Sequence, residues 1–145
     1  MVAPPEDTMK RSANAVWKGS LKEGGGTFGV QSGAIENQKY DFRTRFENAP
    51  GTNPEELIAA AHATCFSMAV TAQLGERGIT PESVETACAV TFENLTLTKS
   101  ALTTTVRAKG ADKSKVEAAA DAAKAGCPIS KVLKLDISLE LNVVT

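Results

Sequence analysis

Hydrophobic and polar positions alternate over much of the chain, and two stretches with helical spacing interrupt the alternation. Residues 12–18 alternate weakly, with Ala13, Ala15 and Trp17 on one side, which predicts a strand. Gly19 and then Gly24-Gly25-Gly26 break it as a turn would. A second strand is expected over about residues 27–32 and a third over about residues 39–47. In the third, Tyr40, Phe42, Thr44 and Phe46 would share one face, and Asp41, Arg43, Arg45 and Glu47 the other.

The loop Asn48-Ala49-Pro50-Gly51-Thr52-Asn53-Pro54 ends in a helix start. Asn53 fits the cap, Pro54 the first helical position and Glu56 the third; Thr52 with Glu55 is the alternative register. The helix should run to about Arg77, with Gly78 as its stop. Residues 83–93 alternate again through Val84, Thr86, Cys88, Val90 and Phe92, and residues 97–109 read as the hairpin partner. A second helix is expected over residues 112–125, ended by Gly126, followed by a short helical turn opening at Cys127-Pro128-Ile129-Ser130. Leu135, Ile137, Leu139, Leu141 and Val143 make a closing strand. The order is βββ-α-ββ-α-β, an α+β arrangement.

At 145 residues, the length suits one domain, which we place at residues 11–145 behind a flexible extension, residues 1–10. That extension carries Pro4, Pro5, Glu6 and Asp7 and lacks the apolar segment of a secretory signal. Lys plus Arg number 16 and Asp plus Glu 17, a balance that gives no electrostatic reason to expect nucleic acid or an anionic membrane. No stretch reads as long and apolar enough to cross a bilayer. Three cysteines, an odd number with no Cys-x-x-Cys pair, make a poor disulfide framework and point to the cytoplasm. With His62 as the single histidine, a multi-histidine metal site within one chain is excluded, and no cofactor is implied.

The three cysteines differ in setting. Cys88 lies on the apolar face of an expected strand and reads as a small core residue. Cys127, between Gly126 and Pro128, stands where a helix begins, and unpaired N–H groups there favour a thiolate, although a structural cysteine fits the position as well. Cys65 lies about three turns into the long helix, beyond the reach of its N-terminal dipole. Ile58, Ala61, His62, Cys65, Ala69 and Ala72 share a face, so the plain reading is core packing. Reactivity at Cys65 needs a cation from elsewhere, for which Arg43 and Arg45 are candidates; a carboxylate such as Glu55 could orient the Arg45 guanidinium. His62 is expected to pack.

Four segments together carry a family resemblance: Thr44-Arg45-Phe46-Glu47, Gly51-Thr52-Asn53-Pro54-Glu55-Glu56-Leu57-Ile58, Ala60-Ala61-His62-Ala63-Thr64-Cys65-Phe66-Ser67-Met68, and Gly126-Cys127-Pro128-Ile129-Ser130. They resemble the osmotically inducible protein C (OsmC) and organic hydroperoxide reductase family, its OsmC branch most closely, from about residue 11 to the end. The resemblance implies a thiol peroxidase acting on organic hydroperoxides, and more weakly on hydrogen peroxide, in oxidative and osmotic stress defence. It implies that Cys65 is the peroxidatic thiol, Cys127 the resolving thiol that closes a disulfide with it, and Arg45 and Glu55 the pocket pair. It further implies an external dithiol as reductant and an OsmC-like fold, with the long helix packed against antiparallel sheets in an intertwined homodimer.

Helix geometry bears on that assignment. Ten residues separate Glu55 from Cys65, which is roughly 15 Å of helical rise. A carboxylate cannot span that distance, so Arg45 and Glu55 of a second copy are the simpler source of the cation. Two other readings stay open: a redox-sensitive protein that binds a small ligand or partner without turnover, and group transfer on Cys65. The latter lacks a base, since nothing in the sequence orients His62.

Overall fold

The computed structural model describes residues 8–145; residues 1–7 of the expected extension lie outside the described residues. The chain forms two units, one ending at Pro54 and one running from Glu55 to Thr145.

In the first unit β1 (Ala13–Lys18), β2 (Gly25–Val30) and β3 (Gln38–Tyr40) form an antiparallel sheet in that order. The rings of Trp17 and Phe28 pack on Tyr40, with centroids 5.5 and 5.8 Å away. Gly26 pairs with Tyr40 across the sheet, and a Cβ there would strike the Val16 carbonyl and sit 2.7 Å from the Tyr40 ring. Only glycine lets the ring lie over this strand.

The expected third strand stops at Tyr40, and the chain turns into a short helix, α1 (Phe42–Phe46). Asp41 is the cause. Its carboxylate accepts the Thr44 N–H at 2.9 Å, while its own N–H donates to the Thr44 hydroxyl at 3.0 Å, a reciprocal cap. Phe42 and Phe46, one turn apart, bring their rings to 4.8 Å. Arg43 and Arg45 are therefore not strand residues sharing a polar face, as the alternation had suggested. Arg43 pairs with Glu47 one turn on, at 4.0 Å, and the Arg45 guanidinium lies 5.5 Å from the centre of the Phe46 ring.

The second unit begins with α2 (Pro54–Glu76) and continues through β4 (Ser83–Glu93), β5 (Thr96–Arg107), α3 (Lys113–Gly126), α4 (Pro128–Val132) and β6 (Asp136–Val144). The sheet order is β4-β5-β6. The β4–β5 hairpin is antiparallel, but β6 runs parallel to β5, which corrects the expectation of wholly antiparallel sheets. A parallel neighbour needs a long connection, and α3 with α4 supplies it. The α+β class and the order of major elements stand as expected, the anticipated short turn after Cys127 is α4, and the short α1 is added.

Alternate residues of β5 (Ser100, Leu102, Thr104 and Val106) are sealed from solvent. Against them lie Phe66, Val70 and Leu74 of α2 and Val116, Ala119 and Ala123 of α3. His62, Phe66, Val70 and Leu74 recur every four residues, and all four are 0% exposed. At the end of α2, Gly78 adopts φ 73° and donates to the Gly75 carbonyl, while Ile79 donates to Leu74 and enters the core cluster. This is the glycine stop that the sequence anticipated.

One expectation fails. By length and composition α2 could cross a membrane, with a mean hydropathy of 1.4 over an 18-residue window. Its buried stripe, however, is the core of the second unit, which makes α2 a core helix. Phe66→Ala should therefore destabilise the protein by about 3–5 kcal/mol. Urea unfolding checks this: the midpoint should fall while the slope is unchanged, and an unaltered midpoint would show that the stripe is not core.

Candidate active site

Pro128 determines where the site forms. The residue before a proline is disfavoured in the helical region, so α3 cannot run through position 127. Cys127 takes φ −59° and ψ 123°, and it serves two helices at once. Its N–H closes α3 on the Ala123 carbonyl at 2.8 Å, and its carbonyl opens α4 by accepting the Lys131 N–H at 3.1 Å. The thiol thus stands at a helix start, as expected. Gly126, expected to stop α3, is instead its last residue and has no positive φ; the following proline ends the helix.

The Cys127 side chain is fully buried, and its Sγ lies 3.0 Å from Sγ of Cys65. Cys65 is half-buried on α2, beside the core stripe. A disulfide needs a sulfur separation near 2.05 Å, so closing the bond takes a shift of about 1 Å. Cys88 is set apart from the pair: its Sγ faces the Ser100 hydroxyl at 3.1 Å.

Surroundings shift the two thiols in opposite directions. Burial pushes the Cys65 thiol up, and its hydrogen bond with Cys127 adds to this, against one favourable contact from the Ile129 N–H. Burial also opposes a thiolate at Cys127, but there it is outweighed. The neighbouring Cys65 thiol, Ser130 and the Ile129 amide favour charge on that sulfur and bring its pKa down. The two sulfurs are in contact and titrate as a pair.

His62 does more than pack. It is fully buried, with Nδ1 2.6 Å from the Ser100 hydroxyl and Nε2 2.8 Å from that of Ser130. Burial lowers its pKa, so the ring is neutral in the folded protein. The sequence reading missed the roles of Ser100 and Ser130. For Ser130 a signal existed, since it follows Cys127 by three residues, the spacing at which a side chain reaches back to a helix cap. Ser100 had none, because its alignment with His62 comes from packing between β5 and α2.

Arg45 is exposed on α1 of the first unit, and Glu55 is nearly buried in the first turn of α2. Since α2 is continuous from Pro54 to Glu76, the roughly 15 Å of rise between Glu55 and Cys65 stands. Among the described residues, no three His, Cys, Asp or Glu side chains gather as a metal site.

Acid should weaken the fold through His62. The unfolded ring protonates near 6.5, whereas the folded ring resists protonation, so the unfolded chain binds more protons below that pH. The contribution is complete above 6.5 and is lost as pH falls through the lowered folded value, by at most about 1.4 kcal/mol per pH unit. Urea midpoints at pH 8 and 5.5 should reveal this loss, and His62→Gln should flatten it; equal slopes in the two proteins would contradict a buried neutral ring.

Comparison with known proteins agrees with this architecture. The family model described as OsmC-like protein matches residues 46–142. Peroxiredoxin OsmC of Escherichia coli (strain K12) is 46% identical over 140 residues, covering 94% of this chain and 98% of the relative. The Shigella flexneri protein of the same name gives the same values. Two solved structures share the fold. The Legionella pneumophila organic hydroperoxide resistance protein OsmC has a TM-score of 0.65 and 23% identity, over 92% of this chain and 97% of the other. OhrB of Bacillus subtilis, also an organic hydroperoxide resistance protein, has a TM-score of 0.61 and 24% identity, over 91% and 97%. On the family match and the near-full-length identity, the chain belongs to the OsmC family.

Proposed function

We propose that this protein is a thiol peroxidase that reduces organic hydroperoxides through Cys65 and Cys127. The observation that carries the reading is the 3.0 Å contact between a half-buried sulfur and a fully buried one. A peroxide meets Cys65 first, because Cys127 is sealed. The near-full-length relatives named peroxiredoxin OsmC support the same chemistry.

The cycle begins when Cys127, as thiolate, takes the Cys65 proton across the sulfur contact. Arg45 holds the resulting charge on Cys65. The Cys65 thiolate attacks the distal oxygen of ROOH; an S–O bond forms, the O–O bond breaks, and the alkoxide leaves as ROH after taking a proton. Cys65 is now a sulfenic acid. Cys127 attacks its sulfur, the S–S bond forms, and the hydroxyl leaves as water. An external dithiol then returns both thiols by exchange. Cys65→Ser should abolish peroxide consumption with dithiothreitol as reductant, and Cys127→Ser should leave a sulfenic acid that dimedone traps. Equal residual turnover in the two variants would overturn the assignment.

The reading includes a homodimer in which Arg45 and Glu55 act on the partner's Cys65. The continuous α2 supports this, because it holds Glu55 away from Cys65 on the same helix. So does the surface of α2, of whose most apolar window only 22% is buried, with Met68 72% exposed. Co-expressed Cys65→Ser and Arg45→Ala chains should regain activity that neither has alone, about a quarter of wild type if dimers form at random, each mixed dimer holding one intact site. Failure to recover would place Arg45 and Cys65 of one chain in the same site.

A further inference from the structure

Four buried or half-buried side chains run in a line from β4 to Cys127. The Cys88 sulfur lies 3.1 Å from the Ser100 hydroxyl; Ser100 lies 2.6 Å from His62 Nδ1; and His62 Nε2 lies 2.8 Å from the Ser130 hydroxyl. Ser130 stands in the first turn of α4, the helix that the buried Cys127 caps. The peroxidase cycle described above uses none of the three inner groups.

Proton counting gives this line a direction. A neutral imidazole donates from one nitrogen and accepts at the other, and each serine has one proton to give. If Nε2 accepts, the Ser130 proton points at His62 and none remains for Cys127. If Nε2–H donates, the Ser130 oxygen is occupied and its proton is free for the sulfur. The two ends of the line choose between these states. A Cys127 thiolate is a charged, strong acceptor, whereas the Cys88 thiol is a weak acceptor and a serviceable weak donor. The favoured order is Cys88 S–H to Ser100, Ser100 O–H to Nδ1, Nε2–H to Ser130, and Ser130 O–H to Cys127.

We propose that His62 is a positioning residue for the resolving thiol, acting through Ser130: its Nε2–H tautomer, fixed by Ser100 and Cys88, holds the Ser130 proton on Cys127. The step it serves is closure of the disulfide. Cys127, as thiolate, supplies the electron pair for the S–S bond; the S–O bond of the Cys65 sulfenic acid breaks; and the departing hydroxide becomes water with the proton that Cys127 had released. Cys127 sulfur is oxidised and the sulfenic sulfur reduced. The proposal rests on the peroxidase reading.

One equivalent of cumene hydroperoxide, followed by acid quench and mass spectrometry, separates the steps. It resolves thiol, sulfenic acid and disulfide forms over time. In His62→Leu and in Ser130→Ala, sulfenic acid should persist at least about tenfold longer than in wild type, the size expected for loss of a hydrogen bond to a charged group. His62→Gln keeps a donor at the Nε2 position and Ser130→Thr keeps a hydroxyl, so both should close the disulfide much faster than the ablating variants. The double variant should be no slower than Ser130→Ala, because His62 acts through Ser130. If His62→Leu does not fold, Ser130→Ala and Ser130→Thr decide the matter. Disulfide closure at the wild-type rate in Ser130→Ala, or fully additive slowing in the double variant, would overturn the proposal. A wild-type protein that forms no sulfenic acid would instead overturn the reading on which it rests.

Discussion

The steric demand of Pro128 on the residue before it organises the second unit around one sulfur. Without it, α3 and α4 could be a single helix, and position 127 would lie in a helix interior. With it, Cys127 becomes the last group of one helix and the first of the next. The break frees the amides of Ile129 and Ser130 from intrahelical bonding beside the sulfur, and they favour charge on it. The same break seats the side chain in the core beside Val116, Ala119 and Ala123, where water cannot compete with those donors.

Burial acts on both sulfurs, but the donors are unequal, and this separates their roles. Cys65 sits on a continuous helix whose amides are engaged in the helix itself, so its backbone help comes from α4, through Ile129. Cys127 gathers the rest. In the proposed cycle the buried sulfur and the half-buried one in contact with it act as an acid–base pair. In such a pair the inner sulfur can take the outer sulfur's proton when an external cation makes charge on Cys65 favourable.

Much of this was legible in the sequence. Alternation placed β4 and β5 to within one or two residues, because one face of each is core and the other solvent. It failed at Phe42–Phe46, where aromatic residues at spacings of two and four suit a strand and a helix equally, and the deciding signal was the Asp41 and Thr44 cap. The two motif cysteines were separable from Cys88, but the histidine was not readable. A single His on an Ala-rich helix gives no sign of its partners, since Ser100 and Ser130 reach it from 38 and 68 residues away along the chain. The parallel course of β6 was equally silent, because strand direction depends on how a connection crosses and not on the strand's own pattern.

The long helix links two observations that look unrelated. Its apolar surface exceeds what the second unit buries, and its straight run keeps Glu55 and Cys65 two to three turns apart. A helix shortened or kinked to bring the carboxylate to the thiol would lose part of the stripe from His62 to Leu74 that anchors it to β5. A second copy packed on the free surface meets both demands without that loss. It would cover apolar area, and a two-fold relation would bring each chain's Glu55 and Arg45 toward the other's Cys65. On the proposed reading the dimer would be the catalytic unit: the core would supply Cys127 from one chain, while the cation that turns Cys65 into a nucleophile would come from the other.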